Sequence, residues 1–115
     1  MINLNTLLKY FSDLKVESIV SDSQGKMRLQ RLIVDKKRRG RGLGTLFMLA
    51  MCVYADNNRK VIGISPSADW GTSICRLKRF YRKFGFVDNK GSHRNKSICD
   101  DMYRLPRKIN EYNNY

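Results

Sequence analysis

Residues 16–105 predict an α/β domain: a mixed central sheet of about five to six strands with flanking helices. Two patterns in the chain support this. Short β-branched runs of strand length alternate with longer segments of helical period, and one strand, a glycine-rich turn, an apolar helix and a second buried strand follow one another over residues 32–64. A strand-helix-strand unit of that kind places its two strands parallel, because a full helix separates them. The length of 115 residues and the 42% hydrophobic content fit a single core.

The elements follow in order. Leu4, Leu7, Leu8, Phe11 and Leu14 recur at three- and four-residue steps, predicting a short amphipathic helix capped by Asn5 or Thr6. Residues 16–20 and 27–34 read as two strands of an antiparallel hairpin joined by a polar loop over residues 21–25. Residues 45–55 are apolar nearly all round and predict a buried helix ended by Asp56-Asn57-Asn58. Val61-Ile62-Gly63-Ile64 is the next buried strand. After the loop 68–71, Thr72 or Ser73 caps a helix with Ile74, Leu77, Phe80, Tyr81 and Phe84 on one side and Arg76, Lys78, Arg79, Arg82 and Lys83 on the other. Gly85 stops it, Phe86-Val87 opens a strand, residues 88–100 form a polar loop, and residues 102–105 form the last strand. The expected domain is 1–107, with 108–115 a frayed tail.

Composition narrows the function. With 23 Lys plus Arg against 10 Asp plus Glu, the formal net charge is +13, which favours anionic partners: nucleic acid, acidic proteins, anionic lipid or a polyphosphate cofactor. The longest apolar run, residues 46–55, is far short of the roughly 20 residues a membrane span needs. Residues 1–10 lack the pattern of a secretory signal, so a cytoplasmic protein without membrane partners is expected. Cys52, Cys75 and Cys99 match no zinc or CxxC spacing and only one histidine, His93, is present, so no metal is expected. Cys52 and Cys75 read as small core hydrophobes and His93 as a solvated loop residue. Trp70, in the loop before the second long helix, either lines a site or plugs a sheet edge.

The chemistry concentrates at residues 34–45. Gly40, Gly42 and Gly44 permit a tight turn that brings successive backbone N–H groups to a helix start, an arrangement suited to phosphate oxygens. The spacing is not that of a P-loop, and it misses the GxGxxG dinucleotide pattern by one position. Taken alone, residues 36–41 read equally well as a solvated basic turn or a nucleic-acid-binding cluster.

A second segment decides between them. Leu32-Ile33-Val34-Asp35 followed by Arg39-Gly40-Arg41-Gly42-Leu43-Gly44, and then Phe80-Tyr81-Arg82-Lys83-Phe84-Gly85-Phe86, occur in the order and spacing of two motifs of the GNAT superfamily of N-acetyltransferases, which the chain resembles over residues 27–105. The resemblance implies acetyl-CoA as cosubstrate. Arg39, Gly40, Arg41, Gly42, Leu43, Gly44 and Thr45 would wrap its pyrophosphate, and Leu32, Ile33 and Val34 would run beside the pantetheine arm. Ser73 or Thr72 would be a further pantetheine partner, and a backbone N–H near Val34 would polarise the thioester carbonyl. Tyr81 would be the general acid that protonates the departing thiolate, a sensible role for a phenol of pKa about 10.

The resemblance also exposes departures. The strand before the glycine loop reads Arg28-Leu29-Gln30-Arg31 and carries no carboxylate, so the general base is left among Gln30 acting through water, Glu17 from the neighbouring strand, or none. The chain is N-terminally short for the superfamily, which implies an open acceptor groove or one completed by a second subunit. The expected function is acetyl transfer to a primary amine on a macromolecule, a protein amine or a nucleic-acid-linked amine such as aminoacyl-tRNA, in a homodimer of the kind common in the superfamily. The alternative is a catalytically inactive GNAT-like protein that binds nucleic acid through its basic surface.

Overall fold

The structure is a computed structural model and describes residues 3–67 and 72–108. Helix α1 (Leu4–Asp13) leads into β1 (Val16–Ser23), β2 (Lys26–Val34), α2 (Leu43–Asn57), β3 (Val61–Ile64), α3 (Ile74–Arg82), β4 (Val87–Asp88) and β5 (Met102–Arg104). The five strands form one sheet in the order β1-β2-β3-β5-β4. Strands β2 and β3 are parallel, and the other neighbouring pairs are antiparallel. The predicted mixed sheet and its parallel crossover are thus present.

Local chemistry accounts for the boundaries. Asn3, rather than Asn5 or Thr6, caps α1, its Oδ1 accepting from the Thr6 N–H at 2.8 Å. The polar loop expected at residues 21–25 contracts to a two-residue turn, because Ser21, Asp22 and Ser23 pair with Arg28, Met27 and Lys26. Gln24 and Gly25 both have positive φ, 52° and 78°, the twist-matched turn of a tight hairpin. Further along this hairpin the register slips. Ile19 pairs with Arg31 and Val20 with Leu29, leaving Gln30 as the extra residue of a β-bulge in β2.

The helices share one face of the sheet. Phe11 of α1 and Phe47 of α2 meet edge to face at 5.2 Å. The buried side chain of Arg104 in β5 reaches both Asp56 of α2 and the Phe84 carbonyl just past α3. The core between helices and sheet contains Phe47, Met48, Met51, Ile62, Ile64, Tyr81 and Met102, all 2% exposed or less.

Three expectations need correction. Helix α2 is apolar all round in sequence but buried on one side only: Leu46, Leu49 and Val53 are about half exposed, because a single helical layer covers only the side that meets the sheet and α1. Ile74 and Cys75 are exposed rather than packed, since they stand in the first turn of α3 and only Leu77 and Tyr81 on that helix are buried. Leu105, expected to close the last strand, lies outside it and is exposed. Trp70 lies outside the described residues. Among the described residues no helix is long and apolar enough to cross a membrane.

Candidate functional site

The sheet opens where the motif segment begins. Backbone pairing between β2 and β3 runs from Lys26–Val61 to Leu29–Ile64 and stops there, while β2 continues to Val34. The far half of β2 therefore has a neighbour on its β1 side only, and a slot separates it from the chain leaving β3. The Gln30 bulge sits at the start of this unpaired half, where extra local twist helps turn β2 away from β3.

A cavity of about 420 Å³ opens onto the unpaired half of β2, walled by Leu32 and Val34 of β2, by Arg39, Gly40 and Gly44 of the loop and α2, and by Thr72, Arg76, Leu77, Phe80 and Tyr81 of the α3 side. Leu32 and Val34 face it by strand alternation. Ile33 points away and contributes instead to a separate hollow with Leu8, Ser12 and Lys15.

The loop is shaped by backbone conformation. Gly40 and Gly42 have φ of 82° and 75°, a left-handed geometry that side chains disfavour, and Gly42 stands at the α2 N-cap. No side chain caps α2. The first-turn N–H groups, which in any helix lack an internal partner, are left for water or a ligand anion. Arg39 is tied back to β2, its Nε donating to the Val34 carbonyl at 3.0 Å. Arg41, Gly42 and Thr45 are exposed around this mouth and Leu43 is half-buried.

Tyr81 is fully buried in the cavity wall, with its ring 5.8 Å from that of Phe86 in an edge-to-face contact. Burial drives its phenol well above the ordinary tyrosine range, so the hydroxyl keeps its proton. Of the two candidate residues before α3, Ser73 caps the helix, accepting from the Arg76 N–H at 3.2 Å, whereas Thr72 lines the cavity.

The possible bases on β1 and β2 are less well placed. Glu17 is engaged by Arg31, with Nε donating to Oε1 at 3.1 Å on the exposed surface, and Gln30 occupies the bulge. A carboxylate that the sequence does not single out, Asp100, reaches the opposite face of β2 and β3 from the segment before β5. Its only sequence signal was an acidic pair, Asp100-Asp101, at the end of a polar loop. His93 is exposed, and its backbone carbonyl accepts from the Tyr103 hydroxyl.

Residues 13–88 match the acetyltransferase (GNAT) domain family. The match covers more than half of the chain, which therefore belongs to the GNAT family. The fold is similar to that in the crystal structure of Ard1 from Thermoplasma volcanium, with a TM-score of 0.58 and 20% identity, over 81% of this chain and 64% of that one. The chain thus spans a little under two thirds of that protein's length. No curated protein matches it.

Proposed function

We propose that the chain is an acetyl-CoA-dependent N-acetyltransferase acting on a primary amine carried by a macromolecule. The observation that carries this reading is the slot between β2 and β3, with an uncapped helix start behind a left-handed glycine turn at one end and a buried, protonated phenol in its wall.

The residues present fit the cosubstrate. The N–H groups opening α2 suit pyrophosphate oxygens, and the positive end of the helix favours the charge. The apolar wall of Leu32, Val34, Leu77 and Phe80 suits a pantetheine arm, whose amides would find the unpaired backbone of β2. Acetyl-CoA supplies an acyl group activated as a thioester. The Tyr81 O–H then donates a proton to the departing sulfur. Water displaced from the slot by the bound cosubstrate would raise the proton affinity of that sulfur along with that of the phenol, so burial does not by itself disqualify the donor. A β2 backbone N–H aimed into the slot would stabilise the carbonyl oxygen as it gains charge.

The macromolecular acceptor is supported by charge. Lys36, Lys37 and Arg41 lie exposed on the loop that supplies Arg39 and Gly40 to the cavity wall, and Arg76 and Arg79 lie exposed on α3, with Lys83 just past it. Such a surface suits an acidic protein or a nucleic-acid-linked amine. It equally motivates the second reading, a nucleic-acid binder without catalysis.

Calorimetric titration with acetyl-CoA, with CoA and ATP as comparators, separates the two. Saturable micromolar binding of acetyl-CoA well above ATP is expected. A folded sample, free of copurified CoA, that binds neither would remove the cosubstrate assignment and favour steeply salt-dependent binding to nucleic acid.

A further inference from the structure

Strand β2 carries no carboxylate, yet the fold delivers one to it. Asp100 is 7% exposed. Its Oδ1 accepts from Arg28 Nε of β2 at 3.0 Å and from the Ser65 hydroxyl, just past β3, at 2.9 Å. Ser65 is fixed from a second direction, its Oγ accepting from the Asp101 N–H at 3.1 Å. The other carboxylate oxygen lies over Gly63, where a Cβ would come within 2.4 Å of it, so a residue without a side chain is needed for the carboxylate to sit there.

Position along the strands places this cluster at the slot. The last β2–β3 pair is Leu29–Ile64, so Ser65 stands one residue beyond the point where the strands part and Arg28 one residue before it. Position across the sheet places it opposite Tyr81. Met27, Leu29, Ile62 and Ile64 are buried in the core beneath the helices, so by alternation Arg28, Gly63 and Ser65 face the other side. An acyl carbon held in the slot therefore has a proton donor on the helical side and a hydroxyl backed by a carboxylate on the opposite side. A nucleophile approaching from one side and a leaving group protonated from the other need that pair of functions.

Resting on the acetyltransferase reading above, we propose that Ser65 receives the proton of the attacking amine and that Asp100 is the positioning residue that orients Ser65 and takes the proton onward. As the amine nitrogen bonds to the acyl carbon, an N–H proton passes to Ser65 Oγ while the serine proton passes to Asp100 Oδ1. The carbon–sulfur bond breaks and the sulfur takes the Tyr81 proton. Asp100 then releases its proton to solvent and the Tyr81 oxygen regains one, so amine and thioester become amide and thiol with no other reagent. Arg28, whose guanidinium has donors only, fixes the orientation of the carboxylate through Oδ1.

The test uses the full chain, acetyl-CoA and two probe acceptors, an alkylamine and aniline, with release of the CoA thiol as readout. Ser65→Ala is expected to lower kcat with the alkylamine about 100-fold while leaving the KM for acetyl-CoA unchanged. Aniline, which surrenders its N–H proton more readily once the new bond forms, loses less. Ser65→Thr keeps a hydroxyl and restores most of the rate. Asp100→Asn reproduces the loss with the alkylamine and again spares aniline. If that variant does not fold, Ser65→Ala and Ser65→Thr decide alone. Wild-type rates in the variants, or equal losses on both amines, overturn the relay. So does a wild type that binds acetyl-CoA but acylates neither amine, since the relay asks nothing of the acceptor beyond its nitrogen. A wild type that does not bind acetyl-CoA overturns instead the reading on which the relay rests.

Discussion

Asp56 on α2 and Arg104 on β5 form a two-pronged ion pair inside the core, Nη1 to Oδ1 at 2.7 Å and Nη2 to Oδ2 at 2.9 Å, with side chains only 1% and 3% exposed. Two further hydrogen bonds hold the pair. Arg104 Nε donates to the Phe84 carbonyl at 2.7 Å, and the Arg107 N–H donates to Asp56 Oδ1 at 2.8 Å. One pair thus joins the end of α2, the turn after α3 and the chain leaving β5. Asp56→Ala leaves a buried guanidinium without its counter-charge, a change that costs about 3–5 kcal/mol. Urea unfolding followed by circular dichroism is expected to show a loss of that order, and a loss under about 1 kcal/mol would mean that water reaches Arg104.

Tyr81 is expected to matter for turnover and for alkaline stability. Tyr81→Phe keeps the ring in its packed site and removes only the proton donor, so kcat should fall about 100-fold or more while acetyl-CoA binding is retained. Unchanged turnover would remove the residue from the proposed mechanism.

The same phenol couples folding to pH. Its folded pKa is raised by burial above the unfolded value of about 10, so the stability it contributes is fully present below pH about 10 and declines as pH rises beyond that. Thermal melts on the alkaline side should therefore fall less steeply for Tyr81→Phe than for wild type. Parallel curves would show that the tyrosine titrates as if it were exposed.

Much of this arrangement is legible in the sequence, and the parts that are not share a cause. Local periodicity and capping residues reveal the helices, and Gly40 and Gly42 mark the turn into α2 because their left-handed backbone conformation leaves a residue-type signature. Contacts between distant segments leave none. Arg104 reads as an ordinary charge in a short strand, and only the docking of α2 against β5 makes it a buried partner of Asp56, 48 positions away. Asp100 is read as loop for the same reason, its partners Arg28 and Ser65 lying 72 and 35 positions upstream. Periodicity also overstates burial. The apolar surface of α2 exceeds what one helical layer can cover, and the first turn of α3 leaves Cys75 outside the core.

The three thiols should separate cleanly by reactivity. Burial pushes the Cys52 thiol up to about 11, with Asp56 adding to the rise and Arg104 opposing it, so almost no thiolate is present at neutral pH. Cys75 and Cys99 are exposed. A disulfide-exchange reagent should thus modify two thiols per chain in the native protein and the third only on unfolding. Three fast-reacting thiols without denaturant would show that α2 opens readily at its C-terminal half, and would contradict the packing of Cys52 against the core.

Gly44 tests the cosubstrate site with least disturbance to the fold. A Cβ there would meet Phe80 Cζ at 3.7 Å and Val34 Cγ2 at 3.8 Å, ordinary contact distances, and the backbone needs no left-handed conformation. Gly44→Ala should therefore fold as wild type does, and its added methyl group narrows the cavity slightly. Gly44→Glu extends a longer, negatively charged side chain from the same point of the cavity wall, beside the helix start proposed to receive pyrophosphate. Its bulk and its charge both oppose that ligand. Calorimetry is expected to show no acetyl-CoA binding by the glutamate variant and measurable binding by the alanine variant, both with melting transitions close to wild type. Acetyl-CoA binding retained by a folded Gly44→Glu protein would place the phosphates elsewhere and leave the slot between β2 and β3 without its proposed occupant.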